Sequence, residues 1–478
     1  VLGAIVVVAA IARFANLDEQ SFWYDEAVTV GLLEMDFGDM LDRIPESEST
    51  PPLYYAVAWL WAKVFGTGEA DLRSLSALCG TAFVPVIYAI GARAASARVG
   101  LVAAALAALN PLLVWYSQEA RAYSLLVLFA GLSFLFFIRL LTGDPRRRTL
   151  VLWAVVSALA MATHYFAAFL VAIEAAWLLT TAANRRPIAV AAATLALVEL
   201  ALLPLLLHQR SLNLADFIDD APLGYRIART PKQFLVGFDA PGEVIAAIVA
   251  AVLVALAFWL VWTRGDDRER RAALIGIVVG GSLLAATALL ALIGVDYFDT
   301  RNLLVAWPPL ALAVAAALGA RRSGAVGLAG AAALVAIGAV TVTLVNTDAK
   351  LQRDDWRGAT EGLGDREPFA VVVTPVTARQ PFGVYAPRLK LMPDEETPVR
   401  EIDYLALPLR EHTRSRPGDP PRPVNHPAPV GFTLAEARYE DTYTLLRYTA
   451  PGLVRVTPGP LMAVGIDPDR RAAVFVSP

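Results

Sequence analysis

Apolar and polar positions divide this chain at about residue 345. Before that point, apolar runs lie at about 1–15, 72–92, 99–116, 121–141, 149–164, 165–183, 187–207, 243–262, 272–294, 302–319 and 323–345, with short charged stretches between most of them. A helix needs about 20 apolar residues to cross a bilayer, and most of these runs approach that length. The pattern predicts about eleven transmembrane helices, two of them short. The run at 51–66 is broken by prolines and flanked by acids, and reads as an interfacial or re-entrant helix in the first long loop. After residue 345 the chain is polar and rich in proline. Asp354 to Gly358 reads as a helix start, and Phe369 to Thr374 as a buried strand. Thr442 to Tyr448 and Leu453 to Thr457 flank Ala450-Pro451-Gly452, which predicts a hairpin. Arg414 to Pro429 reads as an extended loop. The expected fold class is a polytopic α-helical membrane domain, 1–345, followed by a small α/β domain, 346–478.

Basic residues orient the spans. One set of alternate connectors holds Arg93 and Arg98, then Arg146 to Arg148, Arg185-Arg186, Arg264 to Arg271, and Arg321-Arg322. Short arginine-rich connectors mark the cytoplasmic side. The long 16–71 and 208–242 segments, the turn near His164 and the stretch Asp296 to Asn302 then face outside, as does the C-terminal domain. The expected location is the cytoplasmic membrane. The first run is short for a span and has no basic residue before it, so either the chain is trimmed there or the helix continues upstream. It does not read as a cleaved signal peptide.

Composition agrees. The chain is 57% hydrophobic and only 18% charged, against about a quarter charged in ordinary soluble domains. There is no basic tract of the kind that binds nucleic acid. The single Cys79 rules out an internal disulfide and a multi-cysteine metal site. No zinc signature, phosphate-binding P-loop or Gly-rich dinucleotide turn is present. A transporter would place ionisable residues near mid-membrane in two similar halves. Here the acids, histidines and aromatics gather at the outer ends of the runs.

Four stretches carry candidate chemistry. Ser21-Phe22-Trp23-Tyr24-Asp25-Glu26 sets two acids beside three aromatics just outside the first run. An acid held there is a candidate general base; the plainer reading is a capped helix start. Gln118, Glu119, Arg121 and Tyr123 follow the third run, and pair by face if that stretch is helical. Arg121 suits a lipid phosphate, or else an internal pair with Glu119. His164 and Tyr165 sit between two runs, as cavity contacts or as part of an interfacial aromatic belt. Asp299 and Arg301 open a later span, where a positive charge on the outer side calls for a reason. Arg226, Arg229 and Lys232 in the 208–242 segment suit a headgroup-level helix, a lid or an acceptor contact. Asp25 and Glu26 alone do not complete a divalent-cation site, so metal-independent chemistry is expected, with a divalent metal as the open alternative.

Six motifs in order carry a family resemblance: Trp23-Tyr24-Asp25-Glu26-Ala27, Thr50-Pro51-Pro52-Leu53-Tyr54-Tyr55, Leu72-Arg73-Ser74, Trp115 to Tyr123, Thr163-His164-Tyr165 and Thr300-Arg301-Asn302. Together, over about residues 10–320, they resemble the GT-C superfamily of membrane glycosyltransferases, in the branch of the protein O-mannosyltransferases and lipid A aminoarabinose transferases. The resemblance implies a polyprenyl-phosphate-linked sugar as donor, with no further cofactor, and an envelope glycan, lipid or protein as acceptor. It implies inversion at the sugar, with Asp25 as base and Glu26 as the acid that often follows it. Arg121, Arg301 and Arg73 become candidate phosphate contacts. Tyr24, Tyr54, Gln118, Glu119, Tyr123, His164, Tyr165 and Asp299 become candidate pocket residues. One departure is Thr50, where relatives often carry His or Lys. A lipid-sugar transporter and a non-catalytic assembly protein are the alternative readings.

Overall fold

The computed structural model describes the whole chain except residues 145, 239–241, 365–366, 408–424 and 468–469. Most of the proline-dense stretch 414–429 therefore lies outside the described residues. Backbone contacts gather into two compact units. One comprises 1–17 and 32–344; the other comprises 18–31 and 345–478.

The first unit is helical. Its elements are α1 (Leu2–Phe14), the last residues of α2 (Tyr24–Leu33), α3 (Phe37–Ser47), α4 (Leu53–Phe65), α5 (Glu69–Ala94), α6 (Ala97–Ala108), α7 (Pro111–Ser117), α8 (Tyr123–Leu141), α9 (Arg147–Thr163), α10 (Ala167–Thr181), α11 (Arg186–Ser211), α12 (Leu223–Val236), α13 (Glu243–Arg264), α14 (Asp267–Leu292), α15 (Trp307–Leu318) and α16 (Gly324–Thr347). Every one of the eleven apolar runs is helical. Among the described residues, six helices are long and apolar enough to cross a membrane, and the bent pair α6–α7 brings the count to seven. The chain is a multi-pass membrane protein. The remaining runs form the shorter helices α1, α9, α10 and α15, with α9 and α10 divided at His164.

The bend between α6 and α7 is 58°, and its causes are local. Pro111 cannot donate to the preceding turn and sits at the first helical position, where no donor is needed. Asn110 Oδ1 accepts from Leu113 N–H at 3.1 Å, and its Nδ2 donates to Phe234 carbonyl at 2.8 Å. The carbonyls orphaned at the end of α6 are met by Arg13 from α1, at 2.9 Å for Ala107 and 2.7 Å for Ala108. Helices α5 and α6 close on each other through Gly91 and Gly100. A Cβ on Gly91 would lie 2.8 Å from the Gly100 Cα, so only small residues fit. One fully buried acid, Glu174 on α10, accepts from Ser133 Oγ at 2.6 Å and Trp153 Nε1 at 2.7 Å. It ties α8, α9 and α10 where hydrocarbon offers a carboxyl no partner.

The second unit carries α17 (Trp356–Glu361), β1 (Phe369–Thr374), α18 (Arg379–Tyr385), β2 (Lys390–Leu391), β3 (Thr397–Ala406), β4 (Thr433–Tyr439), β5 (Thr444–Val456), α19 (Pro458–Ala463) and β6 (Ala473–Val476). The six strands form one sheet in the order β2-β6-β1-β3-β5-β4. Only β1–β3 is parallel. Strand β1 is buried along its whole length and has apolar clusters on both faces. The expected hairpin around Ala450-Pro451-Gly452 is not there. Those residues lie inside β5, opposite a register shift at Val399/Glu401 of β3, and the chain reverses between β4 and β5 instead. A bulge tolerates proline because the extra residues leave the ladder. Asp355 caps α17 by accepting from Gly358 N–H at 2.9 Å.

Candidate active site

The acid pair Asp25-Glu26 belongs to the second unit. Residues 18–23 form no helix or strand of their own, so their backbone groups take partners elsewhere. Ser21 Oγ accepts from Trp356 N–H and donates to Asp354 carbonyl, both at 2.9 Å. Phe22 N–H donates to the Tyr385 hydroxyl at 2.6 Å. Helix α2 then starts, with Tyr24, Asp25 and Glu26 as its first three residues. Glu26 is fully buried and reaches back to Trp23 N–H at 3.4 Å, the return half of a capping box. Asp25 is half-buried and Tyr24 exposed. Of the two acids, Asp25 is the one a substrate can approach, and Glu26 shapes the helix start.

A separate group of arginines and aromatics belongs to the first unit. Residues 118–122 form a turn between α7 and α8 rather than a helix, so face-pairing at three- and four-residue spacing does not apply there. Arg121 donates its backbone N–H to Glu119 carbonyl at 2.8 Å. Its fork meets Glu48 instead, at 3.0 and 2.9 Å, with both side chains nearly fully buried. Glu48 follows α3 and was not legible as a partner. The guanidinium also lies 5.9 Å from the Tyr55 ring centre. Asp299 takes two arginines: Arg229 of α12 at 3.1 Å and Arg301 at 3.7 Å. That trio carries a formal charge of +1. Arg226, the other α12 arginine, is committed to Asp296 and Phe298 carbonyl.

His164 joins these groups. It lies near both Arg121 and Arg301, and its Nδ1 accepts from Phe166 N–H at 3.3 Å. The Tyr123 ring is 6.3 Å from His164 and 4.6 Å from Tyr116. Tyr116 in turn feels Tyr123, Glu119, Arg301 and Asp299. Arg121, Glu119, Tyr123, His164, Asp299 and Arg301 thus gather where α7, α8, α9 and residues 299–306 end. The other candidates have contacts of their own. Tyr165 donates to Gln209 Oε1 at 2.7 Å, and Gln209 donates to the Thr50 carbonyl at 3.2 Å. Gln118 Nε2 reaches the carbonyls of Ala12 and Ala15. Arg73 is buried and donates to Leu17 carbonyl at 2.8 Å. Tyr54 is buried against Tyr55. Reading the sequence missed Glu48 and Gln209; Asn302 stood within the Thr300-Arg301-Asn302 motif without a role of its own. Arg229 was legible only as one of a basic group. Among the described residues, no group of three His, Cys, Asp or Glu side chains is placed to hold a metal.

A family model described as dolichyl-phosphate-mannose-protein mannosyltransferase matches residues 49–208. The fold is similar to that of ArnT from Cupriavidus metallidurans in the apo state, with a TM-score of 0.56 and 11% identity, covering 93% of this chain and 97% of that one. It is also similar to ArnT from Cupriavidus metallidurans bound to undecaprenyl phosphate, with a TM-score of 0.53 and 12% identity over the same shares. No curated protein sequence matches the chain.

Proposed function

With the GT-C membrane glycosyltransferase fold that its motifs resemble as premise, we propose that this protein moves a sugar from a polyprenyl-phosphate carrier to an acceptor outside the cytoplasmic membrane, with inversion at the anomeric carbon. The observation that carries the reading is the division of the acid pair: Glu26 buried in a capping role, Asp25 left accessible. Asp25 takes the proton from an acceptor hydroxyl. The oxygen forms its bond to the anomeric carbon as the carbon–oxygen bond to phosphate breaks. The lipid phosphate leaves with the electron pair, and its charge is met by guanidinium groups. Arg301 and Arg229 suit that role, since the trio they make with Asp299 is net positive. The lipid is proposed as a polyprenyl phosphate because the similar ArnT fold was solved with undecaprenyl phosphate. The acceptor class is an envelope glycan, lipid or protein. The arginine-rich connectors put α1's C-terminal end, the 16–71 segment and the sheet domain outside.

The test uses purified protein in detergent with a panel of short-chain polyprenyl-phosphate hexoses and pentoses and an envelope-glycan extract. Release of lipid phosphate from one donor, abolished in a folded Asp25→Asn variant, supports the reading and names the sugar. Turnover that survives Asp25→Asn removes it.

A further inference from the structure

The acid loop is held by chain that lies far from it in sequence. Beyond the Ser21 and Phe22 contacts, Arg353 N–H donates to Gln20 Oε1 at 3.2 Å. Arg357 Nη2 donates to the carbonyls of Asp18 and Glu19, both at 2.9 Å. These bonds fix the path of the backbone as far as Phe22. The first turn of α2, where Asp25 sits, follows directly. The Arg353 side chain reaches that turn. Its guanidinium lies 4.8 Å from the Trp23 ring centre and 3.9 Å from Glu26 Oε2. Trp23 and Glu26 stand on either side of Asp25 in the chain, so one cation grips both flanks of the acid. The electrostatics run the same way. A buried carboxylate is costly unless a charge or donors compensate it, and Glu26 is fully buried.

Resting on the glycosyltransferase reading, we propose that Arg353 is a positioning residue for Asp25, and that the segment 353–357 with Tyr385 is a brace that sets the acid loop for reaction. Arg353 works through Trp23 and Glu26, and does not touch the donor. A base must hold its geometry to within about 0.5 Å to act efficiently. Loosening the first turn of α2 therefore slows proton removal while leaving the lipid-phosphate contacts as they were. The C-terminal unit, on this account, is part of the catalytic apparatus and not only a place where acceptors dock.

The test compares the full chain in detergent as wild type, Arg353→Met, Arg353→Lys and Asp25→Asn. It uses the polyprenyl-phosphate sugar that the wild type turns over. Arg353→Met is expected to lower kcat about tenfold or more with KM for the donor unchanged. Arg353→Lys, which keeps the charge, is expected to recover most of that loss. Hydrogen exchange of amides 22–33 is expected to speed up in Arg353→Met and not in Arg353→Lys. Wild-type kcat in a folded Arg353→Met protein overturns the proposal, as does a loss confined to KM. Loss of activity in Asp25→Asn beside full activity in Arg353→Met sinks the brace and spares the reaction. Full activity in Asp25→Asn sinks the reaction instead. Should no donor turn over, unchanged exchange at 22–33 in Arg353→Met still overturns the brace.

Discussion

Each unit holds an acid–arginine pair near candidate residues, and the two pairs differ in grip. In the first unit, Arg121 clasps Glu48 with two hydrogen bonds at 3.0 and 2.9 Å. In the second, Arg353 stands 3.9 Å from Glu26 and spreads its remaining surface over Trp23. A two-point clasp commits both groups to each other. Arg121 would have to leave Glu48 to grip a phosphate with the same fork, and Glu48 would then be a lone buried charge. The looser pair leaves its acid engaged with the helix start as well. On the proposed reading the contrast divides the arginines: Arg121 is a strut across the 48–121 contact, and the Arg229–Asp299–Arg301 trio supplies the cations for phosphate.

Several variants break or sharpen that division. The largest effect is expected at the acids. Asp25→Asn should cost about 10²–10⁴ in turnover, the usual weight of a general base, whereas Glu26→Gln should cost far less; equal losses, measured as lipid-phosphate release, would erase the distinction between them. Next come the trio's cations. Arg301→Ala and Arg229→Ala should each lower kcat by about 10²–10³, as removal of a charge-stabilising donor does, with thermal stability little changed. Arg121→Ala should act the other way round. Stranding Glu48 should destabilise the protein by about 3–5 kcal/mol, and Arg121→Met with Glu48→Leu should restore stability and keep turnover; an inactive but stable double variant would make Arg121 a phosphate ligand after all. The smallest effect lies in the sheet domain. Burial holds the His426 pKa below its ordinary 6.5, and the ring engages the Tyr448 hydroxyl at 2.9 Å and the Val464 carbonyl. The unfolded chain therefore binds the proton first. This group's contribution is whole above about pH 6.5 and is lost as pH falls below it. Hydrogen exchange of β5 at pH 5 and pH 7.5 should show it, and His426→Asn should flatten the difference.

The membrane helices were legible because burial in hydrocarbon writes itself into composition: every apolar run is a helix, and β1 coincides with the run Phe369 to Thr374. The hairpin at Ala450-Pro451-Gly452 misled because turn residues also make bulges, and only the partner strand decides between the two. Arg121 was legible as a motif arginine but its partner was not, and Arg353 was not legible at all. Arg121 pairs with Glu48 across 73 positions, and Gln20 accepts from Arg353 across 333. Local spacing encodes neither. The expected boundary at 345 follows chain order, but spatial contact assigns 18–31 to the unit that begins at 345.

That assignment orders the protein's birth. Synthesis proceeds from the N-terminus, and segments acquire structure as they emerge. The acid loop is made before the residues that hold Ser21, which follow it by more than 300 positions. A nascent chain can therefore thread its early helices into the bilayer while the acid remains unset. The acid loop gains its partners only when the segment around Trp356 has been made and folded. On the proposed reading, a product truncated before Trp356 carries the acid without its holder and is expected to be inactive.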